Sequence, residues 1–193
     1  MDFTAIRQNI EKHIDLSEEE FSYFTSLLKR RIAPKKKLLL QAGQSCTTFS
    51  FVNSGVLRAY YQDDSGKEST VMFALKDWWI TDMYCFVNGL PAMLNIETLA
   101  DSEVLQISKA DLDALVDKIP KFERFLRILM QNAYTREQLR VIDSLSRTAE
   151  DRYHIFIKKY PQVVQLVTQR QIASYLGITP EFLSTIRAKK ANS

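Results

Sequence analysis

The pattern of apolar and polar positions changes along the chain from helical spacing to strand-like runs and back again. The first thirty-odd residues are helical in pattern, and Ser17–Glu20 has the residues of a capping box that opens a helix over Phe21–Arg31. Between about residues 35 and 107, short β-branched and aromatic runs alternate with turn signals. Many short strands at this spacing predict an antiparallel β-roll or jelly roll, and the flanking helices make the fold class α+β. The predicted strands are Thr47–Val52, Val56–Tyr61, Glu68–Phe73, Ile96–Leu99 and Val104–Ile107.

A long connecting helix is predicted after this region, opening at Pro120 and extending to about Arg147. An apolar surface wider than one stripe suggests that the helix contacts both its own roll and a second copy of the chain. The alternative is a single broad face against the core. We predict a dimerisation helix over residues 120–147, between a sensing domain (1–119) and a C-terminal domain (148–193). Its first apolar line is Phe122, Phe125, Leu126, Leu129 and Ala133, and Leu139, Ile142 and Leu145 continue it with a shift in phase.

The strongest signal in the sequence is a helix-turn-helix in about the last twenty-five residues. Thr168 and Gln171 form a second capping box, which predicts a helix of about two turns. The small side chain of Ala173 permits a close crossing by the next helix. Gly177 can adopt the positive φ that a sharp break in the chain requires. These features together favour a helix-turn-helix over an ordinary helical hairpin.

The second helix of this motif is predicted to be the one that enters the major groove. Thr179 caps it and Pro180 occupies its first position, where a missing N–H costs nothing. Phe182, Leu183 and Ile186 fall at inward spacing, so the remaining side chains project outward. Glu can accept from cytosine N4, whereas hydroxyl and cationic side chains suit bases and phosphates. The residues assigned to DNA contact are Thr168, Gln169, Thr179, Glu181, Ser184, Thr185, Arg187, Lys189 and Lys190.

The charge distribution is consistent with double-stranded DNA as the partner. Residues 121–193 hold 13 Lys and Arg against 6 Asp and Glu, whereas residues 1–120 hold 13 against 17, which gives a net charge of +3. A basic C-terminal third is what a nucleic-acid-binding module needs. A solvated basic surface would have the same composition, so the charge alone does not decide between the two.

This order of β-rich roll, long helix and helix-turn-helix resembles the Crp/Fnr family, the catabolite activator type of regulator. The resemblance implies a homodimer whose long helices pair, an effector pocket in the roll, and recognition helices that read a two-fold operator. It implies that Glu181 is a base-reading residue, whereas Pro180 and Thr185 stand where the catabolite activator has arginines. The matching segments are 39–43 with Gly43, 51–58 with Gly55, 66–68, 96–105 and 172–187.

The residues of the roll do not favour cyclic AMP as the effector. Family members that bind cyclic nucleotides hold the phosphate and ribose with a short helix, a Gly-Glu pair and an Arg-Ser/Thr-Ala stretch. The matching window, Thr81–Leu94, has none of these, and residues 77–108 contain no Lys or Arg. We therefore predict that cyclic AMP does not bind. A small-molecule effector of unknown identity could use a candidate pocket, although the same aromatic segment could simply fill the core and dimer seam. The pocket residues are Trp79, Asp82, Met83, Tyr84 and Asn95.

Other classes of function find little support in the composition. Two cysteines cannot supply the four ligands of an iron–sulfur cluster, and both histidines, His13 and His154, lie outside the roll. We therefore predict no cofactor, and no metal enzyme of the kind a β-roll can host. The chain has no apolar run long enough for a membrane helix and a charged N-terminus, so we expect a cytoplasmic location. The main alternative is an effector-sensing module that acts on a protein partner without specific DNA binding.

Overall fold

The N-terminal segment forms two helices, α1 (Thr4–Glu11) and α2 (Glu18–Ser26), in a computed structural model that describes residues 2–191 and the side chains of residues 2–188. The capping box before α2 is confirmed. The Glu20 N–H donates to Ser17 Oγ (3.1 Å), and the Ser17 N–H donates to the Glu20 carboxylate (2.8 Å). The predicted end of this helix at Arg31 is wrong, because α2 ends at Ser26 and the chain then enters a strand.

The next part of the described chain folds into two four-stranded antiparallel sheets. One has the strand order β1-β8-β3-β6 and the other β2-β7-β4-β5, so the predicted β-roll is confirmed. Three short strands were not predicted (β1, β2 and β6), because each is held by pairing with residues distant in sequence. Lys29, for example, pairs with Gln106. The strands are β1 (Lys29–Ala33), β2 (Leu38–Leu40), β3 (Thr48–Ser54), β4 (Val56–Gln62), β5 (Glu68–Leu75), β6 (Trp79–Ile80), β7 (Asn95–Thr98) and β8 (Ser102–Ser108).

The roll has an apolar interior between its sheets and a second apolar layer beneath the helices. The interior cluster contains Leu57 of β4 and Val104 of β8, both almost fully buried. The second cluster joins Phe24 of α2 and Trp79 of β6 to the helices that follow the roll. Burial of this much apolar surface is the main favourable term in folding, and it fixes the frame that carries the C-terminal helices.

Gly55 allows the tight turn between β3 and β4. Its φ is +90°, and a Cβ built there would lie 2.1 Å from Ser102 Oγ and 2.7 Å from the Asp101 carbonyl oxygen. A side chain at this position would therefore both strain the backbone and collide with the start of β8. Only glycine satisfies both requirements, which explains the turn signal that the sequence shows here.

Arg58 lies in β4 and is the largest fully buried side chain of the described structure. Its Nη2 donates to Glu68 Oε2 (2.5 Å), and its Nε lies 2.9 Å from Glu97 Oε1. The guanidinium also stacks over the Tyr60 ring, 4.1 Å from the centroid. Burial raises the pKa of Glu97 despite the opposing effect of Arg58. The sheet therefore contains a desolvated charge network that depends on one cation.

Helices make up the rest of the described chain. Across residues 2–191, no helix combines the length and apolar character needed to cross a membrane. The short α3 lies between β6 and β7, inside the window Thr81–Leu94, so the expectation that this window lacks a short helix is wrong. Asp82 caps α3, and Cys85 and Phe86 bury its inner side. The long helix predicted after Pro120 is present as α5. The bounds are α3 (Met83–Asn88), α4 (Lys109–Lys118), α5 (Lys121–Ser146), α6 (Ala149–Lys159), α7 (Pro161–Leu166), α8 (Gln169–Leu176) and α9 (Pro180–Ala191).

Two residues assigned to the dimer helix belong instead to the core of their own chain. Phe122 and Phe125 are 1% and 2% exposed, and their rings lie 5.1 Å from that of Phe24 and 5.9 Å from that of Trp79, respectively. Their dimer assignment is wrong because they have no surface left for a partner. The other three assigned residues are partly buried, and their dimer role stays a prediction: Leu126, Leu129 and Ala133.

Candidate nucleic-acid interface

The corner between α8 and α9 has the local geometry that the sequence predicts. The Gln171 N–H donates to Thr168 Oγ1 (3.2 Å), and the Thr168 N–H donates to Gln171 Oε1 (2.9 Å). Gly177 adopts φ +68° and ψ +34°, the left-handed conformation that ends a helix sharply. Thr179 Oγ1 accepts from the Phe182 N–H (3.2 Å) and so caps α9. Both caps and the glycine break are confirmed.

The inner face of α9 is anchored in an apolar cluster that the C-terminal helices share with the roll. Leu183 is fully buried and Ile186 is 3% exposed. They belong to one cluster with Ile172, Ala173 and Leu176 of α8. Because two successive turns of α9 are fixed in this way, its opposite face is held rigidly toward solvent.

The outer face of α9 carries polar side chains that could contact DNA. Glu181, Ser184, Thr185 and Arg187 are all exposed. The hydroxyls of Ser184 and Thr185 donate to the carbonyls four residues earlier (3.0 and 3.2 Å), which leaves their oxygens able to accept hydrogen bonds. The predicted contacts of Lys189 and Lys190 lie outside the described side chains. The arrangement can present one carboxylate, two hydroxyls and one guanidinium to a groove.

The beginning of α8 lies at the surface and is suited to phosphate. Gln169 and Arg170 are exposed in its first turn. Thr168 is also exposed, but its hydroxyl is engaged as the helix cap. A helix N-terminus attracts anions through its free N–H groups. Gln169 is therefore better placed than Thr168 to contact DNA with its side chain.

Phe182 does not lie where the sequence spacing predicts. It was expected to face inward with Leu183 and Ile186, but its side chain is 51% exposed. The reason is angular: at about 100° per residue, Leu183 and Ile186 lie about 100° and 40° from Phe182 on one side, and Thr185 lies about 60° from it on the other side. Phe182 is therefore at the edge of the buried face. Its aromatic ring is therefore a fifth side chain at the outer surface, and an apolar group there can contact a thymine methyl.

This placement predicts very different stability effects for two adjacent substitutions. Leu183→Ala should lower the free energy of unfolding by about 3 kcal/mol, because it opens a cavity in a buried cluster. Phe182→Ala should cost less than about 1 kcal/mol, because half of the ring is already in water. Denaturant unfolding of the two variants and the wild type measures both values. Equal losses would show that Phe182 is a core residue.

The helix-turn-helix is packed against the outer surface of the roll. Ser174 Oγ of α8 accepts from the Thr70 N–H (2.8 Å) and donates to the Glu68 carbonyl (2.7 Å) of β5. The ring of Tyr175 lies 5.4 Å from that of Phe73. Burial raises the pKa of the Tyr175 hydroxyl, so the group is neutral in this contact. The roll and the helix-turn-helix therefore meet directly, through one helix and one strand.

The residues assigned to an effector pocket are engaged in contacts within the roll. The Asp82 carboxylate is buried and accepts from the N–H groups of Cys85, Met93 and Leu94. Asn95 Oδ1 accepts from the Ala42 N–H, and Trp79 Nε1–H donates to Asn9 Oδ1. Met83 packs against the core, whereas Tyr84 is 62% exposed. These contacts fit the alternative that the segment fills the core, and an effector role stays a prediction.

Sequence reasoning missed two apolar residues of α5 that are exposed in the single chain. Tyr134 is 68% exposed and Val141 is 54% exposed, and Leu145, which the pattern did include, is 83% exposed. Their spacings of seven and four residues are those of a coiled-coil seam. A search for a heptad would have found them. The first part of the predicted apolar line, which begins at Phe122, leads instead into the core, whereas its continuation at Leu139 and Ile142 is 58% and 49% exposed.

Comparison with known proteins supports one family. Residues 30–118 match the cyclic nucleotide-binding domain family. Regulatory protein HlyX of Actinobacillus pleuropneumoniae is 23% identical, over 89% of this chain and 75% of its own length. The anaerobic regulatory protein of Haemophilus influenzae is 25% identical, over 89% of this chain and 70% of its own length. The structure of CLP, a c-di-GMP-responsive global regulator of Xanthomonas campestris, matches with a TM-score of 0.74 at 16% identity, over 91% of this chain and 92% of that one. The structure of FixK2 of Bradyrhizobium japonicum matches with a TM-score of 0.73 at 16% identity, over 86% of this chain and 85% of that one.

The fold and the exposed α9 define the class: a DNA-binding transcription regulator with a cyclic-nucleotide-binding-like sensor domain. These likenesses support the Crp/Fnr family. The matched residues 30–118 span the roll and α4, and α8 and α9 form the helix-turn-helix.

Proposed function

We propose that this chain is a homodimeric regulator that reads a two-fold operator with α9, under the control of an effector other than cyclic AMP. The observation that carries the proposal is the division of α9 into two faces. Leu183 and Ile186 fix one face in the core, whereas Glu181 and Thr185 extend from the other. A major groove accepts a helix presented in this way, and the N-terminal residues of that helix meet the base edges.

The base-reading role is assigned first to Glu181. Its carboxylate has no partner among the described side chains, and it lies in the first turn of α9. A carboxylate can accept from cytosine N4 in the major groove. Because this helix has few arginines, much of the affinity must come from phosphate contacts and from two copies that act together.

Dimer formation is supported by the exposed seam of α5. Tyr134, Val141 and Leu145 form a stripe that a single chain leaves in water. A second copy of the same helix would cover this stripe with an identical one, as an isologous interface requires. Two recognition helices related by this two-fold axis would then contact two half-sites.

We infer on electrostatic grounds that cyclic AMP does not bind. In family members that bind it, the phosphate lies at the short helix that corresponds to α3. Here the buried Asp82 carboxylate already accepts from the Cys85 N–H of that helix and from the N–H groups of Met93 and Leu94. A phosphate would meet a like charge and would find its donors taken. Residues 77–108 provide no cation to offset this.

Calorimetric titration with cyclic AMP should therefore show no binding up to about 1 mM, which corresponds to a binding free energy weaker than about −4 kcal/mol. The reason is the internal carboxylate, so lowering the salt concentration should not restore binding. A dissociation constant in the low-micromolar range would contradict the assignment.

The proposal is tested against its rival, a sensing module that acts only on proteins, by gel-shift titration at several salt concentrations. An operator is first selected in vitro from random duplexes. We expect the selected duplex to bind at least about 10³-fold more tightly than a scrambled duplex of the same length at physiological salt. Equal affinities, even at low salt, would favour the rival.

A further inference from the structure

We propose that the cavity between the roll and the helix-turn-helix binds an amphipathic organic anion. This junction cavity is bounded by β5, the C-terminal half of α5, α6 and α8, and its volume is about 400 Å³. Sites for small ligands have volumes of this order and occur preferentially between domains. The cavity is separate from the candidate effector residues inside the roll.

The walls of the junction cavity carry an excess of positive charge. Its cationic lining residues are Arg136, Arg140, Arg152 and Lys159, against the single lining carboxylate of Asp143. That carboxylate is engaged by a cation that does not line the cavity, because Arg147 Nε lies 2.6 Å from Asp143 Oδ1. Glu137, at the border, pairs with Arg136 and Arg140. Two cations therefore have no carboxylate partner among the described residues.

These two cations are Arg152 and Lys159. The Arg152 guanidinium donates to the neutral carbonyls of Arg147 (3.0 Å) and Leu176 (3.2 Å), and its Nε is buried with no acceptor in the described structure. Lys159 Nζ lies 5.3 Å from the centroid of the Tyr160 ring. A cation held by carbonyls and rings keeps its charge uncompensated, so an anion in the cavity would gain from it.

The remaining walls are largely apolar, which defines the body of the ligand. They include Leu139, Ile155, Phe156 and the ring of Tyr175. A DNA phosphate would use the charges but would leave these walls in water. A small anion with a flat or branched apolar body would cover them and release the water. We therefore assign the site to an organic acid of this kind rather than to nucleic acid.

The position of the junction cavity gives its occupant a means of control. Ser69 and Thr70 of β5 line one side, and Ser174 and Tyr175 of α8 line the other. A ligand that contacts both sides binds best to one arrangement of them, so it must shift the population toward that arrangement. An effect of the ligand on DNA binding rests on the proposed function. Binding itself does not, and it is measured without DNA.

The test uses two probes of nearly the same shape, 1-naphthoate and its neutral amide 1-naphthamide, titrated by calorimetry into the full chain. We expect the anion to bind about tenfold more tightly than the amide, because an ion pair between the carboxylate and these two cations at a partly desolvated surface is worth about that factor. Lys159→Gln should remove most of this preference. Lys158→Gln, an exposed neighbour outside the cavity, should retain it.

A second variant separates the site from non-specific attraction to a basic surface. Ser69→Trp places a large side chain on an exposed position of β5, where an aromatic residue is tolerated, and should weaken both probes about tenfold by filling the cavity. Thermal unfolding confirms that each variant is folded. Equal binding of the two probes, equal effects of the two lysine variants, or no binding of either probe by the wild type would overturn the proposal.

Discussion

Replacing Arg58 by alanine is expected to lower the free energy of unfolding by about 3–5 kcal/mol. The guanidinium is 2% exposed and lies between Glu68 and Glu97, which are 33% and 18% exposed. Without it, Glu97 becomes a largely buried charge with no cation beside it. Removal of one member of a buried charge network costs more than the network contributes as a whole. Urea unfolding of the wild type and the variant measures the difference.

One control variant and a pH series make this expectation specific. Arg30→Ala breaks a more exposed pair with Glu103 and should cost less than about 1 kcal/mol. The pKa of Glu97 is already raised by burial, and loss of Arg58 raises it further. A raised carboxyl pKa means a penalty that is present above the folded-state pKa and is released as the pH falls through it. The difference between Arg58→Ala and wild type should therefore shrink from pH 7 to pH 5, and a constant difference would contradict this cause.

Disrupting the α5 seam is expected to have the largest effect on DNA binding. The double substitution Val141→Asp and Leu145→Asp places like charges opposite each other in a paired helix, so the chain should become monomeric. Affinity for a two-fold operator should fall by about 10²–10⁴, because the second half-site is then no longer bound at a high effective concentration. Sedimentation gives the mass and gel-shift titration gives the affinity.

The control for this experiment is Leu166→Asp in α7, which adds one negative charge at an exposed leucine outside the seam. It should leave the chain dimeric and the operator affinity within about threefold of wild type. A seam variant that stays dimeric would place the interface elsewhere. A monomer that binds the operator as tightly as wild type would show that dimer formation does not contribute to affinity.

The parts of the fold that the sequence predicted are those with local causes. The caps at Thr168 and Thr179 and the break at Gly177 depend on residues a few positions apart, and each has the predicted geometry. The β-roll was predicted from its longer strands. The short strands β1, β2 and β6 were missed, because pairings such as Lys29 with Gln106 join residues far apart in the chain.

The candidate site was predictable in position but not in detail. The residue types on α9 predicted which face could read DNA, yet the spacing placed Phe182 on the buried side, because a residue about 70° from the middle of the line through Leu183 and Ile186 can belong to either face. Phe122 and Phe125 were assigned to a partner because the spacing of apolar residues shows which face of a helix is buried. It does not show whether the chain's own core or a second copy of the chain buries that face. The burial of Arg58 and the contact of Ser174 with β5 left no local signal, since both depend on tertiary packing.

The central claim is that α9 reads base pairs, and in vitro selection with wild-type chain and Glu181→Ala tests it most directly. The wild type should select a two-fold motif. The variant should select the same motif with preference lost at one base pair of each half-site, a loss of about 1–3 kcal/mol of discrimination. The other positions should be unchanged, because phosphate contacts do not depend on Glu181. An identical motif for both proteins, or no motif for the wild type, would contradict the account.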